Sequence, residues 1–192
     1  MKLKVTLIDG TGDAHLAKVA RVSRGYSYIN DDHAHSANDD RKLVKACFKA
    51  KHLSVFEFAD ALFQIECPIF VARQLMRYRC ASYIERSLRY CKPIAPESGP
   101  RDKAADAYAI GLSEYERQLS NGERKEEARM FLPLATPTMF LWKLNLRELF
   151  HVFDERLATS AQSETREIVS QMFEQFKTVF PYSAEAYMER KK

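Results

Sequence analysis

Glycine is scarce in this chain, six in 192 residues, and none falls into GxGxxG or GxxxxGK[ST]. A dinucleotide-binding Rossmann turn and a P-loop both need glycine to bring backbone N–H groups against phosphate, so both are excluded. Cysteine is also sparse: Cys47, Cys67, Cys80 and Cys91 lie at wide, irregular spacings with no CxxC pair, which suits reduced, structural thiols. No run approaches the roughly twenty apolar residues of a membrane span. The opening Met1-Lys2-Leu3-Lys4-Val5-Thr6 soon meets Asp9 and holds no signal-peptide core, so the expected location is the cytoplasm. The one imaginable metal cluster is His33-Ala34-His35 beside Asp31, Asp32, Asp39 and Asp40. It lacks tetrahedral ligand spacing, and no metal is expected. Repeats, low-complexity tracts and linkers are missing too, which leaves one domain over 1–192. The net charge of +4 suits an anionic small ligand better than a nucleic-acid platform.

What is present reads as an α+β chain richer in helix than in strand. Lys2 to Ile8 alternates as a strand closed by Asp9-Gly10. Helical spacing runs from Asp13 to Val22, and residues 26–40 read as loop. A helix capped by Asn38-Asp39-Asp40 then carries Leu43, Val44 and Cys47. Ala61, Phe63, Ile65 and Cys67 alternate with polar neighbours as a strand with one wet face. Pro68 suits the first turn of a helix expected to reach Arg79. A loop through Ser87 follows, then a Pro-containing stretch to Pro100 read as mobile. Further helices are expected over Arg101–Leu119, stopped at Asn121-Gly122, and around Arg129 up to Pro133. Thr138 to Leu144 fits a strand or a helical piece. Asn145-Leu146-Arg147-Glu148 resembles a capping box opening a helix to about Arg156, and Ser160 is expected to cap a last helix ending at Phe180-Pro181.

The most informative stretch is Arg77 to Tyr90. With Arg73 it holds five arginines in eighteen residues and no lysine. Guanidinium is a planar fork that takes phosphate bidentately, whereas an ammonium is a hydrated point charge. Interleaved Tyr78, Tyr83 and Tyr90 offer flat rings, and Glu85, Ser82 and Ser87 offer polar edges for a phosphorylated ligand. Surface ion pairs are the plain alternative. An RNA-binding patch with stacking tyrosines is another, against which stand the weak basicity and the lack of any RNA-module motif.

Two further groups stand out. Arg129 is followed by Asn145, Arg147, His151, Arg156 and Ala161-Gln162-Ser163-Glu164; Arg147, His151 and Glu155 share one helical stripe, equally readable as an ion-paired surface. His52 to Phe58 lies at a helix–strand junction, where a lone histidine is more often a cap than a catalyst. No Ser/His/Asp or Cys/His order marks a nucleophile. Chemistry without a protein nucleophile usually falls to a cofactor.

Taken together these segments resemble the flavin-dependent thymidylate synthases (ThyX type), whose signature is Arg-His-Arg, seven residues, then Ser. Here Arg77-Tyr78-Arg79 is followed by seven residues and Ser87. Ala20-Arg21-Val22-Ser23, His52 to Glu57, Pro68 to Gln74, Ala128-Arg129 with Leu132-Pro133, and Asn145-x-Arg147 through Arg156 to Glu164 also fit, in order, over nearly the whole chain. The resemblance implies a small, mostly antiparallel sheet among helices, and a homotetramer with shared active sites. It implies FAD as cofactor, and methylation of dUMP at C5 with methylenetetrahydrofolate as carbon donor and NADPH as reductant. By matching position, Gln74, Arg77, Glu85, Ser87, Arg89, Arg129 and Arg156 contact dUMP, with Arg156 and Ser87 the catalytic candidates. Ser23, Ser54, Glu57, Arg77, Tyr78, Arg79, Glu85, Asn145, Arg147 and His151 face FAD, and His52 and Tyr90 lie towards the folate. No nucleic-acid partner, membrane or metal is implied.

The chain departs from the family pattern at Tyr78 for the signature His and at Phe58 for a usual His. Ile84 stands for Asn, Leu88 for Gly, and His151 where Asn is common. These changes cluster on the flavin and folate side. They keep open a flavin-dependent dUMP hydroxymethylase on the same scaffold, and a nucleotide- or RNA-binding module without catalysis.

Overall fold

Two nine-residue strands whose inward positions are almost all apolar set the frame. In β2 (Asp60–Pro68) Ala61, Phe63, Ile65 and Cys67 are buried; in β4 (Pro137–Asn145) Thr138, Phe140, Trp142 and Leu144 are. The computed structural model describes residues 3–29, 35–94 and 105–190, and in it β2 and β4 pair antiparallel with Phe63 opposite Trp142. With β1 (Lys4–Gly10) and β3 (Ala81–Glu85) they form an antiparallel sheet of order β1-β2-β4-β3. Large side chains fully removed from water stabilise by about 1.5–3 kcal/mol each, and this face supplies Phe63, Ile65, Phe140 and Trp142.

Helices cover that face: α1 (Asp13–Val22), α2 (Ala37–Lys49), α3 (Ile69–Leu75), α6 (Leu146–Arg156), α7 (Ser163–Val179) and α8 (Pro181–Arg190). Leu16, Val44, Leu149, Phe153, Ile168 and Phe176 meet the sheet in one core. Helix α7 also closes the outer edge of β1. Gln171 accepts from the Val5 N–H and donates to the Leu3 carbonyl, and Gln175 does the same for Leu7 and Val5, at 2.6–3.1 Å. Two side-chain amides thereby stand in for a fifth strand. The remaining helices, α4 (Ala105–Ser120) and α5 (Lys125–Ala128), pack against each other and against a 3₁₀ turn Arg129–Phe131. No described helix is long and apolar enough to cross a membrane.

Several boundaries differ from the sequence reading. The cap of α2 is Ser36, in a reciprocal box with Asp39, two residues before the expected Asn38. Helix α3 ends at Leu75, not Arg79, because the Tyr83 hydroxyl reaches the Leu75 and Tyr78 carbonyls at 3.0 and 2.7 Å and draws the chain into a turn. Arg77 and Arg79 therefore do not sit on that helix with Arg73. The expected loop before Ser87 holds β3, and Thr138–Leu144 is strand. Helix α7 starts at Ser163; Ser160 does not cap it, and the Gln162 side chain bonds Gln74 instead. The chain continues past Pro181 as α8. Asp31, Asp32, His33 and Ala34, the proline stretch over 95–100, and the start of the helix expected from Arg101 lie outside the described residues.

Candidate active site: an arginine-edged cleft and a buried tyrosine

A cleft of about 780 Å³ opens between α3, the end of β3 and the α5–3₁₀ segment. Its walls carry Arg73, Glu85, Arg86, Ser87, Leu88, Glu126 and Arg129, with an apolar side from Ile69, Met76 and Pro133. Main-chain bonds fix the walls. The Ile69 and Phe70 N–H groups donate to the Thr136 and Leu134 carbonyls, and the Arg86 N–H donates to Met139. Gly111 lets α4 press against the rim, since a Cβ there would stand 2.7 Å from the Phe131 carbonyl oxygen and from Pro133 Cδ.

The polar groups in this cleft are held from behind. Thr138 Oγ1 donates to Glu85 Oε1 at 2.8 Å, which leaves the second carboxylate oxygen free. Ser87 Oγ accepts the Arg89 N–H at 3.3 Å, so the serine hydrogen is free to donate. Glu126 takes Arg89 Nε at 2.7 Å and Arg124 at 2.8 Å, neutralising the cleft's other acid. Arg129 Nε donates to the Glu126 carbonyl. Among the described residues no carboxylate pairs with Arg73 or Arg86, and Arg86 Nε is buried without a hydrogen-bond partner. Arg86 escaped the sequence reading as a site residue, although its place between Glu85 and Ser87 was the available signal.

A second cluster centres on Tyr78, which is only 4% exposed. Its hydroxyl donates to Glu155 Oε2 at 2.6 Å and accepts from Arg156 Nε at 2.7 Å. The Arg156 guanidinium carbon also stands 5.4 Å from the ring centre. His151 meets the ring edge-on at 5.5 Å and lies 3.6 Å from Glu155 Oε1. Burial, and then the bond to Glu155, push the Tyr78 phenol well above its ordinary pKa. Gln74 sits apart from the cleft lining, holding Gln162 through its amide nitrogen and accepting from Thr165 Oγ1 at 2.9 Å.

The third group gathers where β4 runs into α6. Asn145 caps α6 by accepting the Glu148 N–H at 2.9 Å, and Arg147 ion-pairs with Glu57. Ser54 and Glu57 lie on the 3₁₀ turn Leu53–Phe58, entered through His52. No side chain joins Ser23 to this group: its hydroxyl closes the end of α1 on the Ala20 carbonyl at 2.8 Å. Tyr90 is exposed beside Arg89. The three groups occupy separate places on one chain. Glu85, Ser87 and Arg129 share the cleft, while Arg156 with Tyr78, and Glu57 with Arg147, stand outside its lining.

Arg77 and Arg79 are exposed and pair with no carboxylate among the described residues. Two free guanidinium forks can each take a phosphate without displacing an existing ion pair. All four cysteines are free, and Cys47 and Cys67 are buried.

A family model described as "Thymidylate synthase complementing protein" matches residues 6–182. The flavin-dependent thymidylate synthase of Pseudothermotoga lettingae is 33% identical over 203 residues, spanning 96% of this chain and 89% of that protein. That of Thermus thermophilus is 34% identical over 209 residues, spanning 96% and 75%. The crystal structure of the UMP/dUMP methylase PolB from Streptomyces cacaoi bound with 5-Br dUMP superposes with a TM-score of 0.86 at 27% identity, covering 98% of this chain and 95% of that one. The PolB structure bound with 5-Br UMP gives 0.80 at 25%, covering 98% and 94%. A match across nearly all of the chain, in sequence and in fold, places it in the thymidylate synthase complementing protein family, the flavin-dependent thymidylate synthases, and makes it an enzyme.

Proposed function

We propose that this enzyme converts dUMP to dTMP by FAD-dependent reductive methylation, with methylenetetrahydrofolate supplying the carbon and NADPH the reducing equivalents, as a homotetramer. The observation that carries the reading is the cleft. Glu85, Ser87 and Arg129 meet there around a volume suited to a nucleotide, with Arg73 and Arg86 unpaired by acids. A nucleotide phosphate would meet in Arg73 an exposed guanidinium that no acid neutralises among the described residues.

In this reading Arg129, Arg89 and Ser87 hold the nucleotide, with Gln74 and Arg77 contributing across the shared site. Glu85, fixed by Thr138, accepts from the ligand through its free oxygen. Arg156 faces the pyrimidine and stabilises negative charge that develops on the ring, which a preorganised cation does without reorganising at the moment of reaction. Ser23, Ser54, Glu57, Arg77, Tyr78, Arg79, Glu85, Asn145, Arg147 and His151 form the flavin side, with His52 and Tyr90 towards the folate. FAD, when bound, supplies the hydride chemistry that no side chain of the protein can.

The deciding experiment is the mass of the nucleotide recovered after incubation with dUMP, FAD, NADPH and methylenetetrahydrofolate. One added methyl group is expected; unchanged dUMP overturns the reading. Leu88 favours one second reading, because it places an isobutyl group in the cleft wall where the family has glycine. A hydroxymethylated product would identify that outcome. UMP is run in parallel, since the PolB fold accommodates 5-Br UMP.

A further inference from the structure

The residue that replaces the signature histidine is bonded to the arginine read as the pyrimidine's partner. Arg156 is the last residue of α6, and an arginine there has four side-chain torsions to fix before it can recognise anything. In this chain one group fixes it. Its Nε donates to the Tyr78 hydroxyl at 2.7 Å, and its guanidinium carbon lies 5.4 Å from the centre of the same ring. No other hydrogen bond or ion pair holds Arg156 among the described residues, so both terminal Nη groups remain open for a planar acceptor edge.

The tyrosine is itself over-determined. The ring is buried, lies 6.0 Å from Trp142 and meets His151 edge-on. The Tyr83 hydroxyl reaches its main-chain carbonyl at 2.7 Å. Its own hydroxyl hydrogen goes to Glu155 at 2.6 Å, which turns the oxygen lone pairs towards Arg156. A hydroxyl can donate and accept at one atom. A neutral imidazole places its donor and acceptor on different ring nitrogens and cannot bridge Glu155 and Arg156 through one atom.

We infer that Tyr78 is a positioning residue for nucleotide recognition: its hydroxyl, oriented by Glu155, locks Arg156 by the Nε edge and presents the two Nη groups to the pyrimidine. This rests on the reading of Arg156 as the pyrimidine's partner, and it gives the Tyr78 departure a function on the nucleotide side. Preorganisation of this kind raises affinity by removing the cost of ordering a long side chain on binding.

The test is a double-mutant cycle on the FAD-loaded protein, reading dUMP affinity by calorimetry with the thermal midpoint and flavin absorbance as controls. Tyr78→Phe is expected to weaken dUMP about tenfold, the size of losing one hydrogen bond to a charged group, in protein with a near-wild-type thermal midpoint and with FAD content matched by absorbance. In an Arg156→Ala background the same change is expected to have no further effect, because the hydroxyl then has nothing to hold. Glu155→Ala, which leaves the aromatic packing intact, is expected to weaken dUMP by a smaller factor, again only when Arg156 is present. Full additivity of Tyr78→Phe with Arg156→Ala overturns the inference. So does wild-type affinity in Tyr78→Phe beside a clear loss in Arg156→Ala, a result that leaves the nucleotide role of Arg156 standing. Unchanged affinity in Arg156→Ala removes that role and the inference together.

Discussion

Arg156 and Ser87 are both proposed to act on the nucleotide, but their surroundings give them different weights. In the proposed reaction Arg156 is a cation held in place before charge develops on the pyrimidine, and losing one such donor typically costs a factor of 10² or more. Arg156→Ala is therefore expected to lower turnover by at least about 100-fold. The far-UV spectrum should stay native, because the Tyr78 ring it lies against is also held by Glu155 and Trp142; near-normal activity would remove it from the mechanism. Ser87 offers one neutral hydroxyl, already accepting from the Arg89 N–H. Ser87→Ala should weaken dUMP by no more than about tenfold and leave measurable turnover. Complete loss with dUMP still bound would instead point to a covalent serine step. The thiols divide as sharply. Burial, reinforced by the nearby Glu85 charge, pushes Cys67 up to about 12. At pH 8 only about one Cys67 in 10⁴ is thiolate, whereas Cys80 is exposed. A disulfide reagent at pH 8 should label Cys80 in the native enzyme and reach Cys67 only after denaturation, as peptide mapping will show.

At the scale of elements, the joint between α1 and α8 shows what holds the C-terminal helix. Asp13 is buried, and its carboxylate accepts from the Tyr182 N–H at 2.6 Å, the Ser183 N–H at 3.3 Å and the Ser183 hydroxyl at 2.5 Å. It is an N-cap delivered from the other end of the chain. Desolvation raises its pKa despite those bonds, so the carboxylate is costly to bury and stays because three donors need it. Asp13→Ala leaves those donors buried and unpaired and should cost about 1–3 kcal/mol, read as a lower urea midpoint. Ser183→Ala, which removes one donor, should cost less. This joint also explains what the sequence hid. Pro181 could have been read as the first residue of a new helix, yet the cap that makes it one is 168 residues away. Strand β3 was hidden for a related reason: Ser82, Ile84 and Glu85 are exposed, so no apolar alternation announces it, and its place is set by pairing with β4. Helices α1, α2 and α6 and strand β2 were legible because their burial repeats with the period of the element. The cleft residues Glu85, Ser87 and Arg129 were legible as a motif. Arg86 was missed, and the partnership of Tyr78 with Arg156 depends on a turn that only tertiary contacts create.

For the whole molecule, the two exposed aspects of the sheet differ in what they leave for a second copy under the proposed tetramer. Its edge at β1 is satisfied by Gln171 and Gln175, which removes edge-to-edge extension there. Its second face is different. Ile84 pairs directly with Leu141, Met139 lies two residues along the same strand, and Ile84 is 73% exposed. An apolar strip on a sheet face flanked by the Lys143–Asp60 ion pair is a surface for burial against another face. The proposed homotetramer with shared sites needs such a face, and the cleft, the Arg156 cluster and the Glu57–Arg147 group are separate on one chain. Under the proposed homotetramer, light scattering should give the mass of four chains for the wild type. Leu141→Arg, with Ile84→Arg as a second variant, should shift the population towards smaller species while the far-UV spectrum stays native. If the site is shared, turnover must fall with the tetramer fraction in these variants, and mixing one of them with an Arg156→Ala protein should not restore it beyond the tetramer that re-forms. A wild type that runs as a monomer with full activity would show that one chain completes the site by itself. An intact tetramer in both arginine variants would move the interface to another surface.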